Sequence, residues 1–232
     1  MSPAFGTQSH SIANQALHFT MDPSQLPLDE QLVHLRRTLS TNGTLVKVLS
    51  LAKTLNLPNW YLAGGAVSQT IWNSVAGLAP NTGISDYDLV YFDDSDLSYE
   101  AEDAVIRRGR EVFAGIPVEV EIRNQARVHL WYPAKFGVPC PQHKSVEAGI
   151  DTWISTSAMI GVRLEEDDRW KVYAPIGLSD YYKMVVRPNT VIGVKEAYEE
   201  KARQWLGIWE GLTVFPWPEN QTPLRFDKGN EE

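Results

Sequence analysis

The chain has 232 residues, of which 43% are hydrophobic and 22% charged, and it carries a net charge of −8. It is long enough to bury a sizeable core, and its acidic balance argues against a nucleic-acid partner. The single cysteine, Cys140, excludes an internal disulfide framework and a cysteine-rich zinc site, which suits a reducing compartment. No apolar run approaches the roughly 20 residues of a membrane span, and the N-terminus lacks a secretory pattern, so we expect a cytoplasmic protein that has no membrane partner.

The sequence pattern divides the chain into three parts. Residues 1–25 are expected to form a flexible arm, residues 26–212 a single domain, and residues 213–232 a polar tail. The domain opens with two predicted helices, LPLDEQLVHLRRTLSTN and GTLVKVLSLAKTLNLP, in which apolar residues recur at helical spacing. These two helices are expected to form a small packing layer.

An alternation of strands and helices follows. Its segments are, in order, NWYLAG (strand), GAVSQTIWNSVAG (helix), SDYDLVYFD (strand), SYEAEDAVIRRGREVFAG (helix) and IPVEVEIRN (strand). This order is typical of an α/β fold in which helices flank a sheet. Beyond it, the pattern predicts the helices QARVHLWYPAKFG and SVEAGIDTWIS, the hairpin AMIGVRLEEDDRWKVYAP, the short helix GLSDYYKMVV and the terminal helix GVKEAYEEKARQWLGIWE.

Two adjacent glycines, Gly64 and Gly65, stand between the first of these strands and the helix after it. Glycine lets the backbone turn sharply and lets a ligand approach the main chain, and the free N–H groups at a helix N-terminus favour a phosphate. The pair therefore indicates a phosphate-binding turn, although a tight turn without a ligand has the same pattern. Ser68, in the first turn of the helix, could add a hydroxyl to the phosphate or cap the helix.

Two aspartates, Asp86 and Asp88, lie one residue apart in the second strand. Side chains at i and i+2 point to the same face of a strand, so the two carboxylates lie side by side while Tyr87, Leu89 and Tyr91 point into the core. Like charges held this close need compensation, and Mg²⁺ (or Mn²⁺) suits carboxylate and phosphate oxygens. The pair predicts a metal site; the alternative is an edge strand with two acids on its solvated face.

The third strand offers a further acid, either Glu119 or Glu121, on a face that also carries Arg123. Phosphoryl transfer at a two-metal site usually needs another carboxylate to activate the attacking group. We favour Glu121, on the assumption that a crossover helix makes the second and third strands parallel neighbours. Ordinary charge alternation on a half-exposed strand is the alternative.

In this order, the glycine pair, the two aspartates and the acid on the next strand resemble the nucleotidyltransferase superfamily of DNA polymerase beta. More closely, the chain resembles a family of predicted nucleotidyltransferases with a CCA-adding-enzyme-like head. The stretches that carry the resemblance are WYLAGGAVSQTIWN, SDYDLVYFD, IRNQARVHLWY, AMIGVRL and APIGLSDYYKMVVRPN, and it covers about residues 44–210. It implies a mixed sheet flanked by helices, with helical N- and C-terminal additions.

The resemblance also implies a reaction and a site. A nucleoside monophosphate would pass from an NTP to an unknown acceptor, with Asp86 and Asp88 holding two Mg²⁺ ions. Glu121 would join the metal ligands and help to deprotonate the acceptor. Arg127 would bind the triphosphate and His129 would donate to the substrate; the alternatives are that Arg127 pairs with an acid and that His129 is packed in the core.

The family pattern is incomplete in this chain. A basic residue is common in the family where Ser68 stands, and an aspartate where Asn73 stands, which puts nucleotide affinity in question. A second hypothesis is therefore a module on the same fold that binds a nucleotide or a partner protein without turnover. A third hypothesis, maturation of tRNA by analogy with the CCA-adding head, is disfavoured by the acidic charge.

Overall fold

A computed structural model of the protein describes residues 22–219. The helices of this part of the chain are α1 (Leu28–Ser40), α2 (Gly43–Lys53), α3 (Gly65–Val75), α4 (Tyr99–Phe113), α5 (Val128–Phe136), α6 (Val146–Ile150), α7 (Ser179–Tyr182) and α8 (Lys195–Leu206). The strands are β1 (Tyr61–Ala63), β2 (Asp86–Tyr91), β3 (Glu119–Asn124), β4 (Gly161–Leu164), β5 (Trp170–Tyr173), β6 (Val185–Val186) and β7 (Thr213–Val214). Each segment predicted as a helix or strand contains one of these elements.

The first two helices form the expected packing layer, although only part of the leucine stripe is buried. Leu35 and Leu39 of α1 are fully buried, whereas Leu28 and Leu32 remain 57% and 37% exposed. Asn42 caps α2 because its side-chain oxygen accepts an N–H of the first turn at 3.0 Å. Helical spacing therefore predicted the helix correctly, but tertiary packing decided which turns are covered.

Helix α6 ends at Ile150, several residues before the predicted helix SVEAGIDTWIS would end. The side chain of Asn189 donates to the carbonyl oxygens of Asp151 (2.7 Å) and Trp153 (2.8 Å). These carbonyls are thus satisfied by a residue far along the chain rather than by N–H groups of a continuing helix. The correction to the helix end comes from a contact that no local pattern contains.

The main sheet is mixed, as the resemblance implies. Its strand order is β3-β2-β1-β4-β5, in which β2 and β3 are parallel and the remaining neighbours are antiparallel. Helix α4 connects β2 to β3 as a crossover, so the assumption that these strands are parallel neighbours is confirmed. A second, two-stranded sheet pairs β6 with β7 in parallel.

The two faces of the main sheet differ. One face packs into the largest apolar cluster, where Tyr87, Leu89 and Tyr91 of β2 are buried as predicted. The other face is covered by a smaller cluster around Tyr61 and Val90. This second face also carries the alternate residues of β2 and β3, which are the acidic ones, so the smaller cluster borders the candidate site.

A third apolar cluster joins the C-terminal helix to α3. The ring of Trp72 on α3 meets the rings of Trp205 (5.7 Å between centroids) and Trp209 (5.3 Å) edge-on. The indole N–H of Trp209 also donates to Asn73 Oδ1 at 2.8 Å. Asn73 thus anchors the segment after α8.

The chain segments outside the predicted domain are only partly described. Residues 1–21 and 220–232 lie outside the described residues, so the predicted arm and tail stay predictions. Pro23–Gln25 forms a turn of 3₁₀ helix, and strand β7 lies just beyond the predicted domain end at residue 212. Within residues 22–219, no helix combines the length and apolar character that crossing a bilayer requires.

Candidate functional site

Three predicted metal ligands share one sheet face. In the parallel register of β2 and β3, Asp88 lies opposite Glu121 and Asp86 lies opposite Glu119. Partners on neighbouring strands, about 4.8 Å apart, point to the same side. Asp86, Asp88 and Glu121 are partly buried, whereas Glu119 is exposed. Glu121 is therefore the glutamate beside Asp88, and its catalytic role stays a prediction.

The electrostatics of this face are unbalanced. Burial, together with the negative charges of Asp86 and Glu121, raises the pKa of Asp88 from its usual 3.8 to about 7, although the charges of Lys201 and Arg123 oppose the rise. The Arg123 guanidinium lies 3.5 Å from Glu121 Oε2, but this pair is exposed and so stabilises the protein little. The face therefore carries excess negative charge that a cation would compensate.

The donor set fits a hard divalent cation, although it is not assembled around one. Within residues 22–219, no three His, Cys, Asp or Glu side chains are gathered closely enough to hold a metal ion as they stand. Mg²⁺ commonly takes one or two protein carboxylates and completes its shell with water and substrate phosphates. Asp86 and Asp88 would supply those carboxylates, and Glu121 could join them after a change of side-chain rotamer.

The glycine turn lies beside the carboxylates because Ala63, the last residue of β1, pairs with Asp88. Gly64 has a φ of 69°, which favours glycine, and a side chain there would overlap the ring of Trp153. Among the described residues, the N–H groups of Gly65 and Ala66 have no hydrogen-bond acceptor. Two free donors and the positive end of the α3 dipole thus face the site.

Ser68 is committed to the turn itself. It is buried, and its hydroxyl lies 3.3 Å from the carbonyl oxygen of Gly64 and 3.4 Å from that of Gly65. The N-cap position of α3 is Gly64, so Ser68 is not the capping residue that one hypothesis proposed. A phosphate contact would require its hydroxyl to turn away from these carbonyls, and that contact stays a prediction.

Arg127 and His129 follow the C-terminal end of β3, whereas the carboxylates lie in the first halves of β2 and β3. Arg127 is buried, pairs with Glu102 through Nη1, and donates from Nε to the carbonyl oxygen of Leu97 at 3.0 Å. His129 is partly buried, and its Nδ1 has no hydrogen-bond partner in the described part of the chain. The structure does not bring either residue to Asp88; Arg127 instead makes the acid pairing that was the alternative.

Three further residues border the site without having been predicted. The ring of Trp153 covers Gly64, the amide of Gln69 lies against Gly65, and the charge of Lys201 acts on Asp88. Gln69 could have been found, because it follows Gly65 by four residues on the same face of a helix. Trp153 and Lys201 lie far along the chain from the glycine turn, and no local pattern connects them to it.

The mixed sheet, with its glycine turn beside paired carboxylates, has the arrangement expected from the resemblance to the nucleotidyltransferase class. The chain belongs to this family: a family model described as "Nucleotidyltransferase" matches residues 50–214. The resemblance drawn from the sequence motifs is thereby confirmed at the level of the family.

A solved structure supports the fold. An NMR structure described as revealing a CCA-adding enzyme head domain matches with a TM-score of 0.66 at 23% identity, covering 84% of this chain and 100% of that chain. An apo tRNA-processing enzyme matches with a TM-score of 0.44 at 14% identity, covering 82% of this chain and 45% of that enzyme. The comparison with curated proteins gave no match.

Proposed function

We propose that this protein is a metal-dependent nucleotidyltransferase that transfers a nucleoside monophosphate from an NTP to an acceptor. The observation that carries the proposal is the register of β2 and β3, which puts Asp88 opposite Glu121 next to the turn at Gly64 and Gly65. A phosphate-binding turn and an acidic face in contact are what phosphoryl transfer needs, because its catalysis consists largely of positioning and charge neutralisation.

Each side chain has a defined part in this reaction. Asp86 and Asp88 would hold Mg²⁺ (or Mn²⁺), which neutralises phosphate charge when bound. The N–H groups of Gly65 and Ala66 would bind oxygens of the β- and γ-phosphates. Glu121 would accept the proton of the acceptor hydroxyl while the acceptor oxygen bonds to the α-phosphorus. The bond between the α-phosphorus and the oxygen that bridges it to the β-phosphate then breaks, and pyrophosphate leaves.

The chain offers a matched pair of variants to test this assignment. The protein is incubated with each labelled NTP, Mg²⁺ or Mn²⁺ and a metabolite extract, and pyrophosphate release is measured. We expect Glu121→Gln to lose at least about 100-fold in turnover with nucleotide binding retained, the usual scale for removal of a general base. Glu119→Gln, on the same face but exposed, should behave like the parent. If the two phenotypes are exchanged, Glu119 is the third acid.

The second candidate is a module that binds a nucleotide without turnover. Two observations favour it: Arg123 contacts Glu121, and the three carboxylates are not gathered around a metal position among the described residues. On this view the parent binds NTP with Mg²⁺ by calorimetry but releases no pyrophosphate with any acceptor. Pyrophosphate release that depends on Glu121 would dismiss it.

Three classes of acceptor are compatible with this reaction: a small molecule, a protein side chain and an RNA end. The net charge of −8 disfavours an RNA, since phosphate backbones are bound mainly through lysine and arginine. Adding bulk tRNA as one arm of the acceptor assay tests that expectation directly. If RNA is the acceptor, labelled nucleotide will appear in the RNA fraction. A cytoplasmic location stays an expectation.

A further inference from the structure

The triphosphate of an NTP carries several negative charges, and the predicted nucleotide-binding side chains offer little to balance them. Ser68 is uncharged and bonded to the turn, and Arg127 is paired with Glu102. Arg123 lies against Glu121 on the acidic face. Beyond the charge that bound Mg²⁺ would neutralise, a cationic side chain at the glycine turn would have to come from another element of the fold.

Helix α8 brings such a cation. Its Trp205 packs against Trp72 of α3, and Lys201 lies one helical turn before Trp205 on the same face of α8. The positive charge of Lys201 opposes the rise in the pKa of Asp88, so its ammonium group lies close enough to interact with that carboxylate. Lys201 is exposed, and within residues 22–219 no carboxylate lies at ion-pair distance from it. Its neighbour Lys195, in contrast, pairs with a glutamate of the same helix at 3.8 Å.

Gln69 provides an independent observation on the facing helix. It lies three residues before Trp72, so it shares the face of α3 that turns toward α8. Its side chain is only 9% exposed, makes no hydrogen bond with the described residues, and leaves Oε1 buried without a partner. Its Nε2 lies 3.0 Å from the point that a Cβ on Gly65 would occupy. Buried amides without partners are rare, and this one borders the free N–H groups of the turn.

We propose that Lys201 and Gln69 bind the triphosphate of the nucleotide, Lys201 through its charge and Gln69 by donating from Nε2 beside the N–H groups of Gly65 and Ala66. The inference rests on the proposed function and names residues outside the predicted site. It assigns to the C-terminal helix the cation that the first turn of α3 lacks. Lysine suits this position, because its ammonium is a compact point charge on a flexible stem.

The test compares ligands that differ in their phosphates. Calorimetry in Mg²⁺ measures the affinity of the full chain for each of the four NTPs. It also measures the affinity for the monophosphate of the NTP that binds most tightly and for inorganic tripolyphosphate. A charge-assisted hydrogen bond corresponds to about 10- to 100-fold in affinity. Lys201→Met should weaken NTP and tripolyphosphate binding by at least about 10-fold and monophosphate binding by less than about 3-fold. Lys201→Arg should retain most of the affinity, and the control Lys195→Met should match the parent.

Gln69→Leu gives a second readout that a merely structural role would not produce. It should raise the melting temperature, because it removes a buried polar group without a partner, and it should also weaken NTP binding. Unchanged NTP affinity in both Lys201→Met and Gln69→Leu, or equal losses of affinity for NTP and monophosphate, would overturn the assignment of Lys201 and Gln69. The proposed function would be unaffected by that result. A parent protein that binds neither NTP nor tripolyphosphate would overturn the proposed function and this inference with it.

Discussion

Replacing Asp88 by asparagine should stabilise the metal-free protein. The pKa of Asp88 is raised from 3.8 to about 7, first by burial and then by the charges of Asp86 and Glu121. At about 1.4 kcal/mol per pKa unit, the difference between the two pKa values sets an upper limit of about 4 kcal/mol on the free-energy cost of ionising Asp88 in the folded protein. Because Asp88 is partly exposed, solvent screens some of this cost, and we expect Asp88→Asn to add about 2 kcal/mol to the free energy of unfolding.

The sign of the pH dependence follows from the raised pKa. Below about pH 4 Asp88 is protonated in both the folded and unfolded states, and its stabilising contribution is fully present. That contribution is lost as the pH rises to about 7, since the unfolded chain releases the proton first. The gain from Asp88→Asn should therefore be small at pH 4.5 and full at pH 8.

Thermal unfolding in EDTA measures this gain. About 2 kcal/mol corresponds to roughly 4–8 °C for a protein of this size. Mg²⁺ with NTP should raise the melting temperature of the parent and leave that of Asp88→Asn unchanged, while Glu119→Gln should resemble the parent in both conditions. A variant that melts lower than the parent in EDTA at pH 8 would refute the view that the acidic face is strained without a cation.

Three further substitutions separate structural from functional roles. Gly64→Ala should lower the free energy of unfolding, measured in urea, by about 1–3 kcal/mol, because it places a side chain on a residue with positive φ and against the ring of Trp153. Gly65→Ala meets only the flexible amide of Gln69, so it should lower the free energy of unfolding by less than about 1 kcal/mol. Arg127→Met should lower it by about 3–5 kcal/mol by leaving the Glu102 carboxylate buried and unpaired, with NTP affinity of the folded protein unchanged by calorimetry. A selective loss of NTP affinity would instead support the phosphate contact predicted for Arg127.

Local patterns predicted the part of the fold that carries the acids. The alternation of Tyr87, Leu89 and Tyr91 with Asp86 and Asp88 assigned the two faces of β2, because strand side chains alternate regardless of context. The amphipathic segment between β2 and β3 predicted the crossover helix α4, while the pairing of the two strands was an assumption that their parallel register confirms. These features depend on residues close in sequence, so the pattern contains them.

Other features depend on contacts between distant segments and could not be predicted. Strand β1 is only three residues long, and nothing in it indicates that it lies between β2 and β4, antiparallel to both. The pairing of Arg127 with Glu102 requires the packing of α4 against the end of β3. The packing of Trp205 on Trp72, which brings α8 against α3, is one choice among eight tryptophans that the sequence leaves open.

Strand β3 is an outer strand of the sheet, with no strand on its far side in the described part of the chain. An outer strand leaves backbone donors and acceptors open to pairing with another copy of the protein, and charged side chains along it oppose such pairing. Glu119, Glu121 and Arg123 place three charges at alternate positions of this edge. These charges thus oppose edge-to-edge aggregation of the protein, a contribution that is separate from the role proposed for Glu121.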